Sequence, residues 1–204
     1  MRKLLASLAI ILGAAGVAHA QTQGDPAAGK EKAQACAACH GQQGISALGT
    51  FPNLAGQQAT YLAKQIRNIR DGERVVAQMV GQVDDYSDQD AADVAAYFAN
   101  MEANLGQVEA EEEVVERGRE LYRAGDRAKG IPACAACHTP TGEGIGTAVY
   151  PALSGQHPEY AVSTLAAFSK GERHNDPNAI MRNIASKMSE ADMEAVSTYL
   201  LGLH

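Results

Sequence analysis

Cys36-Ala37-Ala38-Cys39-His40 recurs letter for letter as Cys134-Ala135-Ala136-Cys137-His138. On one helical turn this spacing lets two thiols reach the two vinyl groups of a haem while the next residue turns its imidazole onto the iron. Each pentad therefore provides covalent anchorage, Cys36 with Cys39 or Cys134 with Cys137, and a proximal iron ligand, His40 or His138. The chain has 4 cysteines and these are all of them. A zinc ribbon would set its two Cys-x-x-Cys knuckles roughly 15–20 residues apart, far closer than Cys39 and Cys134. A thioredoxin-like pair needs a βαβ setting, and the flanks here are helical and Gly-rich. Structural disulfides would not require a histidine after the second cysteine twice over.

The chain opens with Arg2 and Lys3, a largely apolar run from Leu4 to Val17, and the small-x-small site Ala18-His19-Ala20. This reads as a signal peptide, residues 1–20, cleaved so that the mature protein starts at Gln21. The apolar run is shorter than the ~20 residues a membrane span needs. An exported, soluble protein is expected, periplasmic in a bacterial host. Lys plus Arg number 17 against 24 Asp plus Glu, for a net charge of −7, and loss of Arg2 and Lys3 makes the exported chain more acidic still. Nucleic acid is excluded as a partner because no basic field opposes its phosphates. A redox protein with a basic docking face is the better match.

The duplication extends well past the pentads. Pro52-Asn53-Leu54-Ala55-Gly56-Gln57 aligns with Pro151-Ala152-Leu153-Ser154-Gly155-Gln156, Tyr61 with Tyr160, Gly72-Glu73-Arg74 with Gly171-Glu172-Arg173, and Ser87-Asp88-Gln89-Asp90 with Ser189-Glu190-Ala191-Asp192. Two copies of a haem domain are expected, residues 21–108 and 109–204, joined at an acidic linker over about 109–116. Copy two carries an additional stretch at roughly 123–132, which is expected to cover a haem edge or to contact the other domain.

Helix signals repeat in both copies. Asp25-Pro26 reads as a cap followed by proline at the first helical position. Leu62, Ile66 and Ile69 mark one face of a helix over Ala59 to Arg70, with Gly72 ready to end it. Ser87 with Asp90, and Ser189 with Asp192, form capping-box starts. They launch the apolar faces Ala91, Val94, Ala95, Phe98, Met101 and Met193, Val196, Leu200, Leu203. No run alternates at period two, so the fold is expected to be all-α.

The residue opposite His40 or His138 decides between electron transfer and catalysis. Met79 lies eight residues before the capping Ser87, and Met181 eight before Ser189. A core methionine has no reason to hold that register twice, so Met79 and Met181 are the expected axial ligands. Met188 and Met193 face Tyr86 and Ala91 in copy one and read as core. His174 is a rival ligand for copy two, though its polar neighbours favour an exposed loop. His157 and His204 read as surface groups.

The paired pentads, the Pro-x-Leu-x-Gly-Gln segments, the Gly-Glu-Arg triplets and the Ser-x-x-Asp starts together resemble the cytochrome c4 family of exported dihaem cytochromes c, across residues 21–204. The resemblance implies two haem domains facing each other about a pseudo-twofold axis, and electrons passed toward terminal respiratory oxidases from a quinol-cytochrome c reductase-type donor. A monomer with loose peripheral membrane association is expected. Two other readings remain open at this point. A dihaem enzyme, a peroxidase or a thiosulfate oxidiser, needs a displaceable ligand at one iron. A haem subunit docked on a larger oxidoreductase also fits the sequence.

Overall fold

The computed structural model describes residues 23–203, which form helices and turns with no strand among them, apart from isolated bridges between Asp126 and Ile131 and between Ile145 and Tyr150. Residues 1–22, where the export leader and its cleavage site are expected, and His204 lie outside the described residues. Copy one contains α1 (Pro26–Lys32), α2 (Ala37–His40), α3 (Ala59–Arg70) and α4 (Asp88–Ala99). Copy two contains α5 (Glu112–Ala124), α6 (Ala135–His138), α7 (Pro158–Ser169), α8 (Ile180–Ala185) and α9 (Glu190–Leu201).

The start signals act as expected. The Asp25 carboxylate accepts from the Ala27 N–H at 2.8 Å, with Pro26 as the first helical residue. Ser87 with Asp90, and Ser189 with Asp192, close capping boxes in both directions. In each copy the first helix then crosses the last, α1 on α4 and α5 on α9, while α3 and α7 pack on those same last helices. The crossing is close because glycine sits in it. A Cβ on Gly29 would lie 2.0 Å from the Asp93 carbonyl oxygen, and one on Gly118 2.2 Å from that of Ala195. Each copy has its own core, Leu62, Val94, Ala95 and Phe98 in the first, Leu121, Met188, Met193, Val196 and Leu200 in the second. Met101 lies just past the end of α4, half-buried against the first core.

The acidic run divides between two structures. Residues 101–111 form an extended connector, and the helix begins at Glu112, so that Glu112 and Glu113 meet the positive end of α5. The additional stretch of copy two folds back on its own copy. Asp126 and Ile131 exchange backbone hydrogen bonds, both 2.8 Å, and Ile131 is 3% exposed in the second core.

Beneath that turn, Asp192 is only 4% exposed and accepts from both Arg117 and Lys129. Burial opposes its charge, but Lys129, Arg117 and Ser189 outweigh burial and hold the carboxyl well below the usual carboxylate range. Its folded pKa lies under the unfolded value of about 3.9. The stabilisation is therefore complete above that value and lost as pH falls toward the folded one. Asp192→Asn is expected to cost about 2 kcal/mol at pH 7, because it leaves two cations short of their acceptor. Urea unfolding should show the gap between parent and variant closing below about pH 4.

Candidate functional site

Each pentad forms a one-turn helix started by its first cysteine, with the histidine N–H donating to that cysteine's carbonyl at 2.9 Å in both copies. His40 and His138 are each 7% exposed. The Nδ1 of His40 lies 2.9 Å from the Pro52 carbonyl oxygen, and that of His138 2.9 Å from the Pro151 oxygen. A carbonyl only accepts, so Nδ1 carries the proton and Nε2 keeps its lone pair for a metal. Burial drives both imidazoles below their ordinary pKa, outweighing the carbonyl acceptor. The donor set is therefore two neutral, oriented imidazoles, each beside a pair of cysteines, which fits covalently attached haem. Burial also pushes the Cys134 thiol up to about 11 and raises Cys36.

Met79 closes a single 3-10 turn, Ala77–Met79, and is half-buried. Met181 is also half-buried, but it stands in the first turn of α8, so copy two has a short helix where the sequence reads as a longer polar loop. The helix follows a chain reversal at Asn178 and Ala179, whose φ values are 55° and 56°. Met188 and Met193 are core residues and His174 is exposed. His157 is not a surface group. Its Nε2 donates to the Ser46 carbonyl at 3.0 Å, joining copy two to copy one.

That bond belongs to a reciprocal interface. The Gln57 side chain accepts from the Ala152 N–H at 2.7 Å and donates to the Ala152 carbonyl at 3.0 Å. Gln156 does the same for Asn53, at 2.9 and 3.0 Å. Arg74 donates to the Tyr160 hydroxyl at 3.0 Å and Arg173 to the Tyr61 hydroxyl at 2.9 Å. Motif residues of one copy thus grip the equivalent motif of the other, the pattern of a pseudo-twofold axis. Among the described residues every ion pair stays within one copy, and no carboxylate pairs with Arg74 or Arg173.

The symmetry fails at α3. Gln65 and Asn68 are buried there, and the Gln65 carbonyl oxygen accepts from Arg74, Arg173 and Asn175 together. Lys64 donates to the Asn175 carbonyl at 2.7 Å. Copy two places Ser163, Thr164 and Ala167 at the matching positions. Burial alone would raise the Tyr160 phenol, yet the charges of Arg74 and Arg173 outweigh it and hold that phenol below its ordinary value. Sequence reading found α3 by its apolar face and missed this polar one, since Lys, Gln and Asn on a helix ordinarily mark solvent. The recurrence of Gln57 and Gln156, Tyr61 and Tyr160, and Arg74 and Arg173 was the signal for it.

Residues 115–204 match the family Cytochrome c, and residues 25–98 match Cytochrome C oxidase, cbb3-type, subunit III. A cytochrome c4 of Pseudomonas aeruginosa is 48% identical over 205 residues, covering 100% of both chains. The crystal structure of reduced recombinant cytochrome c4 from Pseudomonas stutzeri superposes with a TM-score of 0.85 at 41% identity, over 89% of this chain and 100% of that one. A thiosulfate dehydrogenase electron acceptor of Stutzerimonas stutzeri is 40% identical over 173 residues, 82% of this chain and 78% of the relative. Each cytochrome c match holds one pentad, giving two covalent haem c groups, at Cys36 and Cys39 and at Cys134 and Cys137. Shared in sequence along its whole length and in fold over nearly all of it, the chain belongs to the cytochrome c4 family of dihaem electron-transfer proteins.

Proposed function

We propose that the protein is a periplasmic outer-sphere electron carrier with two six-coordinate haems. One haem lies in residues 21–108, ligated by His40 and Met79, and the other in residues 109–204, ligated by His138 and Met181. The observation that carries this reading is the doubled histidine geometry, in which equivalent proline carbonyls fix both imidazoles in one tautomer. The matched methionine register supports the opposite ligand.

When bound, haem c supplies the one-electron iron couple. The chain's own work is to hold the iron. His40 and His138, both buried, would present Nε2 to the iron, and the sulfurs of Met79 and Met181 would be the second ligands, favouring the reduced state. Arg74, half-buried, and Arg173, buried, have no carboxylate partner among the described residues and would suit propionate carboxylates.

The physiological donor we assign is a quinol-cytochrome c reductase-type complex, and the acceptor a terminal oxidase. The carrier is a monomer with at most loose membrane association, and among the described residues no helix is long and apolar enough to cross a bilayer. The relative named as an electron acceptor of a dehydrogenase supports a carrier over an enzyme.

Protein matured with a haem-attachment system tests the reading directly. Its intact mass should equal the chain from Gln21 plus two haems, both should survive acid extraction, and neither iron should bind carbon monoxide readily in the native state. A folded product with one haem, or with one iron open to carbon monoxide, would overturn it.

A further inference from the structure

The two methionine segments are built differently. Met79 is the fifth residue after Arg74, whereas Met181 is the eighth after Arg173. In copy one the short segment closes on itself, the Met79 N–H donating to the Val76 carbonyl at 2.9 Å, with Val75 and Val80 exposed on either side. Arg74 bonds across to Tyr160 just before it, but among the described residues no hydrogen bond joins 75–82 to copy two. In copy two the longer segment reverses at Asn178 and Ala179, with φ of 55° and 56°, and α8 then begins and presents Met181. Asparagine accepts this left-handed conformation, but the Cβ of Ala179 crowds the backbone carbonyl that follows it. Such a conformation persists only where its surroundings over-determine it.

Those surroundings come from both copies. From copy two, the Asp176 side chain, 5% exposed, accepts from the Arg182 backbone N–H at 3.0 Å and from its guanidinium at 2.7 Å, closing the reversal. From copy one, three residues of α3 converge on Asn175, the neighbour of Asp176. Lys64 donates to the Asn175 carbonyl at 2.7 Å, and the Asn175 side-chain amide donates to Gln65 and Asn68, each at 2.9 Å. Asn68 also accepts from Lys64 at 2.7 Å, so the three act as one surface. The matching positions of α7 carry Ser163, Thr164 and Ala167, too short to reach the Met79 segment in the same way.

We propose that Lys64, with Gln65 and Asn68, is a positioning group that acts across the interface, bracing from copy one the strained reversal that presents Met181. The proposal rests on the reading of Met79 and Met181 as axial ligands and adds what holds one of them in place. The sulfur ligand of the second iron is then held by both copies, and that of the first by its own copy alone. Contact between the copies becomes a condition for full ligation in copy two only.

The test uses the oxidised dihaem protein, with imidazole as the competing iron ligand. Met79→Ala and Met181→Ala, each opening one iron, tell the two irons apart. Lys64→Met keeps the aliphatic stem and removes the donor. It should leave the two-haem content unchanged and make imidazole bind about tenfold more tightly at the copy-two iron, the effect of losing one charged hydrogen bond, with the copy-one iron unchanged. Lys64→Arg, which keeps a charged donor, should bind imidazole as the parent does. Ala179→Gly removes the crowding at the reversal, so in the Lys64→Met background it should return imidazole binding toward the parental value. Unchanged binding at the copy-two iron in Lys64→Met would overturn the brace. So would an equal increase at both irons, or an increase that Ala179→Gly leaves in place, since Lys64 would then act by its charge and not through the reversal. If instead Met181→Ala leaves imidazole binding at both irons as in the parent, the ligand assignment itself falls, and the brace with it.

Discussion

Met79→Ala and Met181→Ala are each expected to abolish one half of the sulfur-to-iron absorption band of the oxidised protein and to leave one iron open to carbon monoxide. The potential of the affected haem should fall by on the order of 0.1–0.3 V, a fraction of the roughly 0.8 V over which axial ligands set haem potentials. The two substitutions should act on different haems, because the methionines belong to different copies. Met188→Leu is the control. That side chain is buried in the second core, so the change should leave both the band and the potentials in place and cost less than about 1.5 kcal/mol. If Met181→Ala leaves its iron six-coordinate with His174 bound in the parent as well, the ligand assignment fails. An enzyme with a displaceable ligand then becomes the better reading.

The second large effect concerns the face between the copies. Gln57→Ala deprives the Ala152 N–H and carbonyl of their partners, and Gln156→Ala does the same to Asn53. A buried backbone group left without a partner costs about 1–3 kcal/mol, so each single change is expected to cost about 2 kcal/mol and the double change about 4 kcal/mol. Because these bonds join the copies, the loss should appear as lost cooperation between them. Calorimetry of the dihaem parent should give one unfolding transition, and the double variant should give two, one for each copy. A single transition displaced only in temperature would show that the glutamines stabilise the fold without coupling its halves.

What was legible in the sequence followed from signals with a local cause. Asp25-Pro26, Ser87 with Asp90, and Ser189 with Asp192 name helix starts because the cap bonds are made within three residues. The pentads name the cofactor because thioether chemistry demands that spacing, while the Pro52 and Pro151 carbonyls that orient the imidazoles belong to the motif that recurs after each pentad. What escaped depended on distant partners. Gln65 looks like a solvent-facing glutamine until Arg74, Arg173 and Asn175 are placed around it. His157 looks like a surface residue until Ser46 arrives from the other copy. The α8 helix arose from a stretch whose polar residues gave no periodic face, and the chain reversal at Asn178 and Ala179 sets it up.

The reciprocal glutamine contacts are those of a symmetric dimer written into one chain. A face held mainly by hydrogen bonds, without an ion pair across it among the described residues, would be weak between separate molecules. The connector 101–111 makes the encounter intramolecular, and a short tether provides an effective concentration in the millimolar range. Against separate halves at micromolar concentration that is a thousandfold advantage, about 4 kcal/mol. Fusion also lifts a constraint on heredity. In a homodimer any substitution strikes both subunits, so Gln65 could not stand in one while Thr164 stood at the equivalent position of the other, nor could one subunit gain the turn 125–131 while its twin lacked it. A single gene carrying both halves lets each mutate alone, and an ancestral pair of equals can become an entrance and an exit.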